Sequence, residues 1–144
     1  MTDAKEDTEA LMNAVLPFAE KMLAKHGEFF PYGGAMKPDG EIVNVASYDG
    51  REQPPSDELV AFLTEGLRDD AKSGRYKATA VVYDVKTTVP GTETISDAIA
   101  ISLNHRDNYS TIVLFPYRIS KHGVEIKAPF SNKGKYDIFP LNRH

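Results

Sequence analysis

The chain has 144 residues and a formal net charge of −4, with 41% hydrophobic and 26% charged residues. This length predicts one domain that buries ~68–70% of its extended-chain surface, and the composition is ordinary for a globular protein. The chain contains no cysteine, which excludes a disulfide framework, a thiolate metal site and a thiol nucleophile. No apolar run approaches the roughly 20 residues of a membrane helix, and the first residues lack the basic and apolar regions of a signal peptide. We therefore expect a cytoplasmic protein without membrane contact.

The first predicted element is an amphipathic helix over residues 9–26. Apolar residues recur there at helical spacing, and Gly27 follows as a stop signal. Pro17 lies inside the pattern, where it removes one backbone hydrogen bond. We expect either a kink at Pro17 or a helix that begins nearer residue 14.

A β-hairpin follows the helix. Lys37-Pro38-Asp39-Gly40 is a turn sequence between two strand-like runs, 28–36 and 41–48. Pro31 and Gly33-Gly34 weaken the first run, which suggests that it forms an edge strand or contains a bulge.

The second half of the chain predicts one helix and four strands. Residues 49–55 are a loop, Ser56 is a candidate N-cap, and one apolar face continues to Gly74, which ends the helix. The strand-like runs after it are 76–86, 97–105, 109–119 and 124–131.

Pairing across Asp107-Asn108, as a two-residue turn, gives the sheet an apolar character on both faces. It places Ile101 opposite Leu114 and Leu103 opposite Ile112 on one face. The other face carries Ala98, Ala100, Ser102, Val113, Phe115 and Tyr117. We expect the two helices to pack mainly on this second face, and either the second helix or a neighbouring subunit to cover the first.

The predicted fold is therefore an α+β domain over residues 1–144, in the order α-β-β-α-β-β-β-β. It has an antiparallel sheet of four to six strands with two helices. Residues 1–8 and 132–144 are expected to be loose termini, with partial docking through Tyr136, Ile138 and Phe139.

Three residues are weak catalytic candidates. His26 stands at a helix C-terminus two positions before Glu28, and His105 stands at a hairpin tip. Acid–base catalysis would require these groups to converge on one cleft, whereas a histidine at a helix C-terminus is in most cases a structural cap. Metal-ligand and phosphate-loop spacings are missing from the sequence, so we expect no metal ion and no cofactor.

Aromatic residues beside proline are the main binding candidates. Phe30-Pro31-Tyr32 and Phe115-Pro116-Tyr117 repeat one tripeptide, and such aromatics form either core or a groove for a partner. If the two segments are neighbours, Tyr32 and Tyr117 form an exposed aromatic surface. Leu103 and Ile112 are the corresponding candidates on the aliphatic face.

The segment from Val15 to Gly34, which includes His26-Gly27-Glu28-Phe29-Phe30-Pro31-Tyr32, resembles small uncharacterised bacterial proteins. In these proteins a helix runs into His-Gly-Glu-Phe and then into a Pro-aromatic-Gly hairpin. The resemblance continues more weakly through 59–67 and 114–117. It implies the same organisation but no activity. In size, charge and architecture the chain is also similar to immunity proteins that neutralise toxins.

The leading functional prediction is a non-enzymatic domain that binds a protein partner or a second copy of itself. One version of this prediction is an immunity-like protein. The alternative is a small enzyme or small-ligand binder with a cleft near His26, Glu28 and His105. Nucleic-acid binding is a third reading, because residues 118–144 hold six Lys and Arg against two acidic residues. The scattered charges and the negative total favour a solvated tail instead.

Overall fold

The structure, a computed structural model, describes residues 3–45 and 55–139. Two helices and seven antiparallel strands confirm the predicted α+β class, with the last predicted strand divided in two. The elements are α1 Ala4–His26, β1 Tyr32–Met36, β2 Ile42–Val45, α2 Ser56–Lys72, β3 Ala78–Thr88, β4 Ile95–His105, β5 Tyr109–Ser120, β6 Gly123–Ile126 and β7 Phe130–Lys133. Within the described ranges, neither helix is long and apolar enough to cross a membrane.

The strands form one sheet in the order β2-β1-β3-β4-β5-β6, and β7 pairs with β5. The first strand is not at the edge that its glycines suggest, because β1 lies between β2 and β3. The predicted turn at 37–40 is confirmed: Gly40 has φ +96° and donates its N–H to the Lys37 carbonyl. The predicted loop at 49–55 and residues 46–48 of the second predicted strand lie outside the described residues, apart from Pro55.

The predicted β4–β5 register is wrong by one residue. His105 pairs with Tyr109, so the turn has three residues, and Asn108 takes the left-handed conformation at φ +59°. A type I turn followed by a left-handed residue is the usual three-residue hairpin loop. A shift of one residue moves every β5 side chain to the opposite face of the sheet.

The corrected register joins the large side chains of β4 and β5 on a single face. Ile99 pairs with Phe115, and Ile101 pairs with Val113. With α1 they form the main core of Leu11, Val15, Ala19, Leu23, Phe29, Met36, Ala78, Ala80, Val82, Ile99, Ile101, Leu103, Val113, Phe115 and Tyr117. Leu103 and Ile112 therefore lie on opposite faces, contrary to the prediction.

The second helix covers the other face of the sheet, so the prediction that both helices pack mainly on one face is wrong. Leu63 and Leu67 of α2 pack with Ala35 and Val81. The chain after β7 joins this layer, where Ile138 and Phe139 are buried and Arg68 Nε donates to the Asp137 carbonyl at 2.7 Å. Further along the same face is an apolar cluster, which we call the β4–β5 patch. Its buried members are Ala98, Ala100 and Leu114, and its half-buried members are Tyr83, Val85, Ile112 and Phe130.

A bulge divides the last predicted strand, 124–131. Tyr117 pairs with Ile126, but Leu114 pairs with Phe130, which requires one extra residue between β6 and β7. Lys127 still donates its N–H to the Pro116 carbonyl at 2.8 Å. Pro129 has no N–H to donate, so it is suited to the bulge.

Both ends of the described chain are packed, although the sequence predicts loose termini. Asp3 caps α1 by accepting the Glu6 N–H, and Thr8 is buried. At the other end, Tyr136 donates its N–H to Ser110 Oγ at 3.3 Å. The predicted partial docking of Ile138 and Phe139 is confirmed by their burial.

Candidate functional site

An open cavity of about 650 Å³ lies at the C-terminal end of α1. We call it the aromatic groove, and its lining residues are Phe18, Met22, His26, Glu28, Phe29, Phe30, Pro31 and Tyr32. Its volume falls within the ~300–1,000 Å³ of typical ligand pockets. All eight residues come from one short segment, 18–32, so local sequence builds the whole site.

The end of α1 determines how this segment folds. Gly27 takes φ +74° and donates its N–H to the Leu23 carbonyl, which stops the helix. The chain then continues into β1 through residues 28–31. Phe29 is buried in the main core, whereas Phe30 is 50% exposed and borders the groove.

Tyr32 stands between two neighbouring cavities. Its ring contacts Phe18 edge to face, with centroids 4.8 Å apart, and lies 6.1 Å from the ring of Phe29. On its other side is a cavity of about 380 Å³ between α1 and β2, lined by Ala14, Val15, Phe18, Tyr32, Asn44 and Val45.

The Tyr32 hydroxyl is inserted into α1 at the proline. Ala19 donates its N–H to Tyr32 Oη at 3.1 Å, and the hydroxyl donates to the Val15 carbonyl at 2.5 Å. These are the two groups that a regular helix joins directly, and Pro17 between them has no N–H. The helix runs through Pro17, so the alternative of a start near residue 14 is wrong.

Tyr32 stays in its protonated form at this position. Burial raises the pKa of its phenol by more than the Ala19 N–H bond lowers it, and the negative charge of Glu20 raises it further. The hydroxyl is therefore available to donate to Val15 at any ordinary pH.

His26 and Glu28 form the polar rim of the groove. Both are exposed, and neither side chain makes a hydrogen bond or an ion pair with any residue in ranges 3–45 and 55–139. The groove therefore presents an apolar floor with one carboxylate and one imidazole at its border.

The structure does not bring His105 to this rim. Its Nε2 lies 2.8 Å from Asp7 Oδ2, and Lys77 Nζ lies 3.3 Å from the same oxygen. The Asp107 N–H donates to His105 Nδ1 at 3.1 Å, so both ring nitrogens are occupied and Nε2 carries the proton. Asp7 and His26 are 19 positions apart on α1, which is about 28 Å along a helix. His105 therefore connects α1 to the β4–β5 turn through Asp7.

The other binding candidates are not neighbours of Tyr32. Tyr117 is buried in the main core on β5, which β3 and β4 separate from β1, and it donates to Asp84 Oδ1 at 2.9 Å. Burial raises the pKa of Tyr117, and the hydrogen bond and charge of Asp84 raise it further. Leu103 is buried under α1, and Ile112 is half-exposed in the β4–β5 patch.

Sequence reasoning missed Phe18 and Met22 as walls of the groove. The helical pattern of α1 does indicate that Phe18 is not a core residue. The buried row of α1 recurs every four residues through Leu11, Val15, Ala19 and Leu23, and Phe18 lies outside this row. A large aromatic residue off the buried row, directly after a proline, indicates a surface feature rather than core.

Comparisons of the chain with protein-family models, with curated proteins and with solved structures give no match. The resemblance to small bacterial proteins therefore stays a prediction, and the function of the site has to be argued from its geometry. Among the residues that the structure describes, no three His, Asp or Glu side chains are grouped as metal ligands would be.

Proposed function

We propose that this protein is a non-enzymatic binding domain and that the aromatic groove is the surface that receives its partner. The supporting observation is that Phe18 and Phe30, which are 48% and 50% exposed, border one apolar cavity. Contiguous exposed apolar surface in a concave site is typical of interaction surfaces.

The surroundings of His26 favour binding over catalysis. Glu28 is the one other ionisable carboxylate or imidazole among the residues that line the groove, and the remaining lining is apolar except for Tyr32. The Tyr32 hydroxyl is engaged inside α1. A general acid–base mechanism needs a second group that is positioned to exchange a proton with the first. Among the residues that line the groove, Glu28 is the one candidate for that role beside His26.

An immunity-like role is the specific version of this proposal. In that version, the partner is a toxin protein that the groove helps to block. Support for it comes from the small size, the net charge of −4 and the α+β architecture. The β4–β5 patch remains available in the same proposal for a second copy of the chain.

The deciding experiment is capture of partners by tagged protein from its own source lysate, followed by mass spectrometry. We expect a stoichiometric partner that Phe30→Glu loses and Phe62→Glu retains. Phe62 is the matched control, because it is 47% exposed and lies on α2, away from the groove. Capture that both variants retain equally would contradict the groove as the binding surface.

A small-molecule ligand is the second candidate, because the groove volume suits one. In that case His26 and Glu28 would orient polar groups of the ligand at the rim. Native mass spectrometry of the protein purified from its source would show a bound mass of a few hundred daltons. We expect Phe30→Glu to remove that mass and Phe62→Glu to keep it.

A further inference from the structure

We propose that the group which enters the aromatic groove is an arginine side chain of a partner protein. This inference rests on the proposed function and names the chemistry that the groove recognises. It is carried by the combination of four aromatic side chains with one carboxylate that has no partner among the described residues.

The aromatic lining favours a flat cation. Phe18, Phe29, Phe30 and Tyr32 border one cavity, and a ring attracts a guanidinium that lies over its face within about 6 Å of the centroid. The guanidinium is planar and weakly hydrated, so it stacks on aromatic rings more readily than an ammonium does. Met22 and Pro31 offer apolar contacts for the methylene stem of the same side chain.

The rim carboxylate distinguishes arginine from an apolar side chain. Glu28 borders the cavity and makes no ion pair or hydrogen bond with residues 3–45 or 55–139. An aliphatic or aromatic group that filled the groove would offer this rim carboxylate no partner. A guanidinium instead pairs with a carboxylate through two parallel hydrogen bonds.

The size of the site indicates a protein as the source of the arginine. A cavity of about 650 Å³ exceeds one side chain, so residues flanking the arginine also occupy it. The exposed faces of Phe18 and Phe30 extend the contact beyond the guanidinium. Arginine and aromatic residues are the types enriched at the centres of protein interfaces.

The test uses three blocked tripeptides, acetyl-Gly-X-Gly-amide, with arginine, citrulline or leucine at X. Citrulline keeps the shape of arginine without its charge. Binding is followed by chemical shifts of backbone amides and of the Met22 methyl group. We expect saturable shifts within residues 18–32 and about fivefold tighter binding of the arginine peptide, which corresponds to a cation–π and ion-pair contribution.

Two variants connect the effect to Glu28. We expect Glu28→Gln to weaken binding of the arginine peptide about fivefold and to abolish its advantage over citrulline. Glu9→Gln is the matched control, because Glu9 is an exposed carboxylate near the opposite end of α1. This control is expected to bind the arginine peptide as the natural protein does.

Three outcomes would overturn the inference. If leucine binds in the groove as well as arginine and Glu28→Gln changes nothing, the arginine chemistry is wrong while the groove remains a binding site. If the arginine peptide instead changes the amide chemical shifts of the acidic residues of α2, the peptide binds to that surface and not to the groove. If no peptide shifts residues 18–32, the inference fails, and partner capture with Phe30→Glu decides the proposed function separately.

Discussion

Tyr32 links the aromatic groove to the stability of α1 at the scale of a single residue. Its ring separates the two cavities beside α1, while its hydroxyl satisfies the Ala19 N–H and the Val15 carbonyl next to Pro17. A proline inside a helix disturbs the backbone hydrogen bonds around it, and here a side chain repairs the disturbance. Tyr32 therefore belongs both to the binding surface and to the irregular turn of α1 at Pro17.

Replacing Tyr32 by phenylalanine tests this hydroxyl. We expect Tyr32→Phe to lower the free energy of unfolding by about 1–2 kcal/mol, because two part-buried backbone groups lose their shared partner. The measurement is urea denaturation followed by circular dichroism. Tyr109→Phe is the control, since no hydrogen bond of the Tyr109 hydroxyl occurs within the described residues. Equal stability of both variants would show that α1 closes the gap without the hydroxyl.

The contacts of Asp7 with His105 and Lys77 predict that the stability of the fold depends strongly on the Asp7 carboxylate. Asp7→Ala leaves the buried His105 N–H and the Lys77 ammonium without this partner, so we expect a loss of about 3 kcal/mol in unfolding free energy. Glu6→Ala, at the exposed neighbouring acid, should cost no more than ~1 kcal/mol through the helix dipole. Denaturation midpoints that differ little between the two variants would contradict a structural role for the cluster.

Asp84 predicts a specific pH dependence. Desolvation raises its pKa above the ordinary 3.8, although the Tyr117 hydrogen bond lowers it. The folded state then holds this proton more tightly than the unfolded state, so its contribution to stability falls as the pH rises from 3.8 through the raised value. Asp84→Asn keeps an acceptor for Tyr117 and removes the charge. Because Asp84 is exposed, we expect a gain below ~1 kcal/mol at pH 7.

Denaturation at several pH values measures this effect. The stability difference between Asp84→Asn and the natural chain should grow from pH 4 upward and then become constant. A difference that does not change with pH would show that Asp84 titrates in the folded protein as it does in the unfolded chain.

At the scale of elements, the helices and most strands could be predicted because their signals are local. Gly27 ends α1, and Gly40 closes the first hairpin, as the sequence indicates. The β4–β5 register could not be predicted in the same way. Both strands carry apolar residues on both faces, so the hydrophobic pattern allows either register. Asn108 does not decide between them, because its left-handed backbone suits a two-residue and a three-residue turn alike.

The candidate site shows the same division between local and distant information. His26, Glu28 and Tyr32 could be grouped from sequence because residues 18–32 form the groove without help from distant segments. The separation of His105 from them could not be read from sequence. It depends on which end of α1 meets the β4–β5 turn, and the contact with Asp7 decides it.

Replacement by alanine should have opposite effects at two glycines, Gly34 in β1 and Gly66 in α2. A Cβ at Gly34 would lie 2.5 Å from Val15 Cγ1, so Gly34→Ala should force α1 away and cost about 1–3 kcal/mol. Gly66, inside α2, has open space around its Cβ position. Gly66→Ala should therefore stabilise by about 0.5–1 kcal/mol through helix propensity. Thermal unfolding of both variants measures the contrast, and a tolerated Gly34→Ala would disagree with the described helix–sheet contact.

At the scale of the whole molecule, the two faces of the sheet are covered unequally. The long helix α1 covers one face with the main core. The other face is divided between α2, the segment 134–139 and the partly buried β4–β5 patch. The sequence correctly predicts a sheet that is apolar on both faces. It does not show which side chains share a face, and this distribution decides which substitutions the fold tolerates.

The same glutamate substitution on the two faces should have very different consequences. Leu103 is 2% exposed beneath α1, so Leu103→Glu buries a carboxylate without a partner. That cost is comparable with the ~5–15 kcal/mol that stabilises a typical domain, and we expect no cooperative unfolding transition. Ile112 lies half-exposed on the opposite face. Ile112→Glu can keep its charge in water and should lose less than ~2 kcal/mol.

Circular dichroism and urea denaturation of the two variants measure this contrast directly. In the two-residue-turn register, Leu103 and Ile112 would be paired on one face, and the two variants would behave alike. In the described register, Leu103 pairs with Thr111 instead. Two variants of equal stability would therefore contradict the three-residue turn at 106–108.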